Sequence, residues 1–188
     1  FCLSRGLGDV YKRQCSKRSS LHMANRLTLA VAGSRKTQGI VEHCASLPRE
    51  RRVLVLTYTK ANQAELISRL KRYAGDHHNV ELMGWFTFLL RDFARPFLPF
   101  QFAGQRILGF NFDGRPHQRA RGIGRFIDSN GAAYGCELGR LAHELVTKSK
   151  GSLLRRLECI YDEILIDEVQ DLSLSLIHIS EPTRQAEI

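Results

Sequence analysis

Apolar positions change their period several times along this chain, and each change marks an element. Residues 27–33, LTLAVAG, are an apolar run entering a small-residue turn, which predicts a buried strand. In TQGIVEHCAS, which follows, apolar residues return at helical spacing, so strand, loop and helix are expected in that order. RRVLVLTYT, residues 51–59, predicts a second strand. In the next stretch Ala61, Ala64, Leu66, Ile67 and Leu70 are spaced to face one core from a helix. A short strand is expected at residues 80–83, then a helix whose apolar cluster should end at Pro96.

From residue 97 to about 135 the pattern dissolves into scattered Gly, Arg and aromatic positions, the texture of an insertion. Helical spacing resumes over residues 136–150, a shorter helix is expected in SLLRRLECIYD, and EILIDEVQD has the apolar run of a buried strand ending in acids. The β-α-β-α order implies an α/β fold with a parallel sheet and flanking helices.

The chain has 188 residues, 43% of them hydrophobic, which fits one globular domain or one carrying an inserted subdomain and excludes disordered and fibrous classes. No apolar run approaches the roughly 20 residues needed to cross a bilayer. The five cysteines, at 2, 15, 44, 136 and 159, form no CxxC pair or metal-like spacing, so neither a disulfide scaffold nor a zinc site is indicated and a cytoplasmic location is expected.

The two ends mirror one another as DNA. Read backwards and complemented, codons for Gln14, Arg13, Lys12 and Tyr11 become codons for Leu174, Ser175, Leu176 and Ile177, and the pairing continues outward to Phe1 with Glu187. Protein structure selects no such symmetry. The implied DNA resembles a sequencing-library adapter, so residues 1–14 and 174–188 are expected to be adapter-derived. Removing these arms takes away four basic and three acidic residues and lowers the net charge only from +9 to +8. The basic field favours polyanions without choosing among nucleic acid, acidic protein and membrane surface.

Two constellations could carry chemistry. Ala32, Gly33, Ser34, Arg35, Lys36 and Thr37 stand between a predicted strand and helix. There a helix N-terminus, a Lys and a hydroxyl suit phosphates and magnesium. Arg35 stands where the phosphate-loop signature has Gly, and a plain basic turn fits the residues about as well. The second is Asp167, Glu168, Val169, Gln170 and Asp171 after the apolar Ile164, Leu165 and Ile166. Acids at the carboxyl end of a buried parallel strand are suited to hold Mg2+ and to orient or deprotonate water.

With both in view, the chain resembles the N-terminal ATPase domain of superfamily 1 DNA helicases of the UvrD/Rep type. GSRKT resembles motif I, DEVQD motif II, TYTKANQAEL motif Ia and GWFTFLL, more loosely, motif Ib. The resemblance covers roughly residues 25–173. It implies a P-loop, RecA-like fold with residues 15–96 and 151–173 forming domain 1A and residues 97–150 a small, mostly helical 1B insertion. It also implies ATP and Mg2+ as cofactors and single-stranded or partly duplex DNA as partner. Residues 32–37 and Gln170 would bind ATP, Thr37 and Asp167 would hold the metal, and Lys36 and Glu168 would be catalytic. Thr57, Thr59, Asn62 and Trp85 would line the DNA path. The family's second RecA-like domain and its arginine fingers have no counterpart after motif II. The fold is thus expected to be incomplete at its C-terminal side, and hydrolysis feeble.

Phe86 and Phe88 are read as core residues, with Trp85 the one that stacks on bases. Arg115, Arg119, Arg121 and Arg125 fit phosphate contacts or a solvated basic loop equally. Two other functions stay open: a DNA-binding module whose nucleotide site is degenerate through Arg35, and another P-loop NTPase such as a small-molecule kinase.

Overall fold

The computed structural model describes residues 36–73 and 79–168. The expected strand at 27–33, Ala32 to Arg35, Gln170 and both arms lie outside them. Among the described residues the chain is α/β, and its centre is a three-stranded parallel sheet in the order β2–β1–β5. β1 is Val53–Thr57, β2 Val80–Gly84 and β5 Glu163–Ile166. Val53 sits opposite both Val80 and Glu163, and the register runs unbroken from there to the carboxyl ends.

β1 is the central strand because every residue in VLVLT is buried. Successive side chains of a strand point to opposite faces, so this strand feeds two cores. Val53 and Val55 join Val41, Cys44 and Leu66 on one face. Those partners come from α1 (Lys36–Ser46) and α2 (Lys60–Tyr73). Leu54 and Leu56 enter a larger cluster on the other face, with Trp85, Phe88, Phe93, Leu98, Leu138, Leu141 and Leu153. Three layers result, helices on both sides of a parallel sheet, as a sheet buried on both faces requires.

Helix α2 buries less than its spacing predicts. Leu66 is fully buried, but Ala61, Ala64 and Ile67 are exposed. A helix covering one edge of a narrow sheet needs only a narrow apolar stripe.

The segment after β2 also departs from expectation. Trp85–Phe88 forms a helical turn, α3, which opens into a π-helical turn at Leu89–Ala94 and closes again as α4, Arg95–Gln101. Pro96 does not end the helix. It falls in the first turn of α4, where a missing N–H costs little.

The region from 97 to 150 is mixed rather than mostly helical. It holds the rest of α4, a parallel pair of β3 (Gly109–Asn111) and β4 (Ala132–Tyr134), a 3-10 turn at Gly122–Arg125 and α5 (Gly135–Lys148). Asp128 ties the pair together: its carboxylate accepts hydrogen bonds from the Asn111 amide and from the backbone N–H groups of Asn130 and Ala132. These bonds hold its carboxyl below the ordinary range. Phe126, Ile127, Ala133, Leu138 and Leu141 pack into the same cluster as Leu54 and Leu56, so this region shares the core of the sheet. Helix α6, Ser152–Ile160, then leads back into β5.

Cys44 is free and buried, which raises its thiol to about 11. Cys136 is free and exposed. No helix among the described residues is long and apolar enough to cross a membrane.

Candidate functional site

Three parallel strands deliver their carboxyl ends to one edge of the sheet, where ligands of open α/β sheets collect. The backbone N–H of Asp167 donates to the Leu56 carbonyl at 2.9 Å, which extends the β1–β5 ladder by one residue. Asp167 is thereby held at the end of β1 with only 4% of its surface exposed. The first turn of α1 meets it. Thr37 Oγ1 donates to Asp167 Oδ2 at 3.3 Å, and Lys36 Nζ lies 3.5 Å from Glu168 Oε2. Residues 130 positions apart and more in sequence thus face each other in two adjacent pairs.

The electrostatics of the two acids differ. Burial raises the Asp167 carboxyl above its ordinary value, and the neighbouring Glu168 charge adds to the effect. The Thr37 hydroxyl, the Glu168 backbone N–H and the Lys36 charge act in the opposite direction. Glu168 has a φ of 56°, a left-handed conformation uncommon for a residue with a side chain.

The donor set fits a hard divalent cation. A carboxylate oxygen and a hydroxyl oxygen facing each other at a buried acid are ligands of the kind Mg2+ takes. Thr37 and Asp167 would hold it, and bound there it would supply positive charge for phosphate oxygens. Lys36 lies at the start of an 11-residue helix whose first N–H groups and dipole favour an anion. Together these groups can bind a phosphate chain and place an acid, Glu168, beside it.

The expected DNA-facing residues separate into two groups. Thr59 is exposed and Asn62 half-buried, and the Asn62 backbone N–H donates to Thr59 Oγ1 at 3.2 Å, so Thr59 caps the start of α2. Thr57 is 1% exposed and donates to the Thr59 carbonyl, which removes it from any surface path. Trp85 is also misplaced by the sequence reading: it is 2% exposed, with its ring 5.8 Å from that of Phe88 in the large core. It offers no face to a base.

Other rings do. Tyr58, Phe86, Phe112 and Phe110 form a continuous series with successive centroid distances of 5.6, 5.1 and 5.3 Å. Tyr58 and Phe112 are 39% and 59% exposed, enough to stack on something outside the chain. Gly135 makes room for this series, because a Cβ there would stand 2.6 Å from the Phe112 ring. A sign of Tyr58 was present in the sequence, since it is the first residue after the buried run of β1. Phe112 has no such sign, because only the fold of residues 109–135 brings it to Phe86.

Comparison with known protein families, curated proteins and solved structures finds no match. The class that fold and site define is therefore an α/β protein with a small parallel sheet and a lysine, a threonine and two acids at the carboxyl ends of its strands.

Proposed function

We propose that this chain is the ATP-binding N-terminal part of an ATP-dependent DNA helicase or translocase acting on single-stranded DNA. The observation that carries this reading is the meeting of Lys36 and Thr37 with Glu168 and Asp167 at the carboxyl ends of parallel strands. In this reading Lys36 neutralises the terminal phosphates, Thr37 and Asp167 hold Mg2+, and Glu168 positions the attacking water. Ala32 to Arg35 and Gln170 complete the nucleotide contacts. The fold is RecA-like, and nucleotide closure is coupled to a strand lying across Thr59, Asn62 and the exposed rings of Tyr58 and Phe112.

The test is binding of a fluorescent ATP analogue with Mg2+ to the full chain. Lys36→Ala should weaken binding by roughly tenfold or more, the scale of a lost charge-assisted contact to phosphate. Glu168→Gln should retain it. In parallel, Tyr58→Ala and Phe112→Ala should each weaken binding of a single-stranded oligonucleotide by ~1–3 kcal/mol, as for a lost base stack. Unchanged ATP affinity in Lys36→Ala removes the nucleotide site. Unchanged oligonucleotide affinity in both ring variants removes the strand path.

A further inference from the structure

Helix α1 is held to β5 at both of its ends, and the two attachments differ in kind. At its start are the contacts of Lys36 and Thr37 with the acids. In its last turn His43 Nε2 lies 2.8 Å from Glu163 Oε1. A carboxylate only accepts, so this ring nitrogen carries a proton and donates it.

The helical period places these contacts in line. Thr37, Val41 and Cys44 stand at i, i+4 and i+7, and Lys36, Ile40 and His43 stand beside them at the same spacing. On the strand the period is two, so Glu163, Leu165 and Asp167 share one face. Helix and strand match in reverse order. His43 meets Glu163, Ile40 and Val41 belong to the same apolar cluster as Leu165, and Thr37 meets Asp167 with Lys36 beside Glu168. The helix therefore runs antiparallel to β5, with an apolar contact in the middle and a polar one at each end.

The apolar middle does not fix this alignment by itself. Of the 11 residues of α1, Val41 and Cys44 are buried, and apolar contact is non-directional. A hydrogen bond requires a distance and an angle, so a bond at each end opposes both sliding and turning of the helix on the sheet. The His43 and Glu163 side chains are 44% and 29% exposed, and an ion pair so placed adds little to stability. What it supplies is alignment. The adjacent acid, Asp162, is engaged elsewhere: it accepts from the Arg52 backbone N–H at 2.9 Å and lies 3.6 Å from Arg52 Nε.

We infer that His43 and Glu163 are positioning residues for the phosphate site, a role that rests on the nucleotide reading proposed above. Their hydrogen bond fixes the far end of α1 on β5 and so holds Lys36 and Thr37 opposite Glu168 and Asp167. The sign of the effect separates alignment from charge. Glu163→Leu removes a negative charge, so the field alone would tighten the binding of a phosphate chain, whereas lost alignment loosens it.

The experiment measures the affinity of the full chain for a fluorescent ATP analogue with Mg2+, together with the urea midpoint of each variant. Lys36→Ala should weaken binding by roughly tenfold or more. Glu163→Leu and His43→Leu should each weaken it by about three- to tenfold, because Lys36 is still present but displaced. The double variant should lose no more than either single one, since the pair acts as a unit. Glu163→Gln keeps an oxygen that accepts from Nε2–H and should bind within about twofold of wild type. Glu65→Leu, which breaks the exposed pair with Arg69 on α2, should also stay within about twofold. Urea midpoints of the His43 and Glu163 variants should remain close to wild type. If Lys36→Ala loses binding while Glu163→Leu and His43→Leu keep it, the positioning role falls and the nucleotide site stands. Losses that multiply in the double variant, a loss in Glu163→Gln equal to that in Glu163→Leu, or losses found only with a lowered midpoint also overturn the role. No binding by the unsubstituted chain, or binding that Lys36→Ala leaves unchanged, overturns the nucleotide site and the positioning role with it.

Discussion

Two aspartates are buried to a similar degree in this chain, Asp92 at 2% and Asp167 at 4% exposure, and they are treated in opposite ways. Asp92, on the π-helical turn, is surrounded by donors. Arg91 lies 3.0 Å from its Oδ2 and Arg156 3.3 Å from its Oδ1, while the Tyr161 hydroxyl donates at 3.4 Å. Arg91 also bonds to Glu81 at the edge of the sheet, and the single Tyr161 hydroxyl proton is shared between Glu81 and Asp92. Asp167 has a threonine hydroxyl and a backbone N–H, with a second carboxylate beside it. A buried charge is tolerated when its partners are complete, and removing one member of the group is then costly. The first acid is built as a structural joint, and the second is left with unfilled capacity at the place where the strands end.

The largest test of this contrast is Asp92→Ala. It leaves Arg156 without a carboxylate and Arg91 with Glu81 alone, and should cost about 2–3 kcal/mol in urea unfolding. A cost under about 1 kcal/mol would put the two acids in the same category. Tyr161→Phe is milder. Burial beside Asp92 and Glu81 raises that phenol above its ordinary range, so it acts as a neutral donor, and its removal should cost about 1 kcal/mol.

The smallest effect is expected at Asp167 and has the opposite sign. Its folded-state carboxyl lies above the ordinary 3.8, so the folded chain holds that proton more tightly than the unfolded chain. Its contribution to stability is therefore fully present below pH 3.8 and is lost as the pH rises through the higher folded value. Asp167→Asn should remove this slope and leave stability at pH 7 equal to wild type or higher. The readout is the difference in unfolding free energy between the two proteins from pH 3 to pH 7. A variant less stable than wild type at neutral pH would show that Asp167 is a joint like Asp92.

What could be read from the sequence follows from how local each signal is. β1 and β5 are short apolar runs bounded by polar residues, and both appear where the pattern places them. The helix spacing of residues 136–150 is likewise kept in α5. Trp85 was misassigned because it sits at the change from strand to helix, where the period does not say which side faces inward. The fold turns Trp85 into the core and leaves Phe86 beside Tyr58. Pro96 misled for a related reason: a proline ends a helix only if its N–H is needed, and the wide turn before it restarts the helix. The pairing of Thr37 with Asp167 was legible as chemistry, from the residue types, well before it was legible as geometry.

The central strand makes its two partnerships at very different separations. Val53 finds Val80 27 positions later but Glu163 only 110 positions later. Closing the longer loop costs about 1 kcal/mol more in chain entropy, and such non-local pairings form slowly. During synthesis the lysine half of the site leaves the ribosome long before the acidic half, which arrives with β5, the last strand among the described residues. A chain that stops short of β5 therefore carries Lys36 and Thr37 without Asp167 and Glu168, and the pairing of β5 with β1 and the meeting of these four residues are one event.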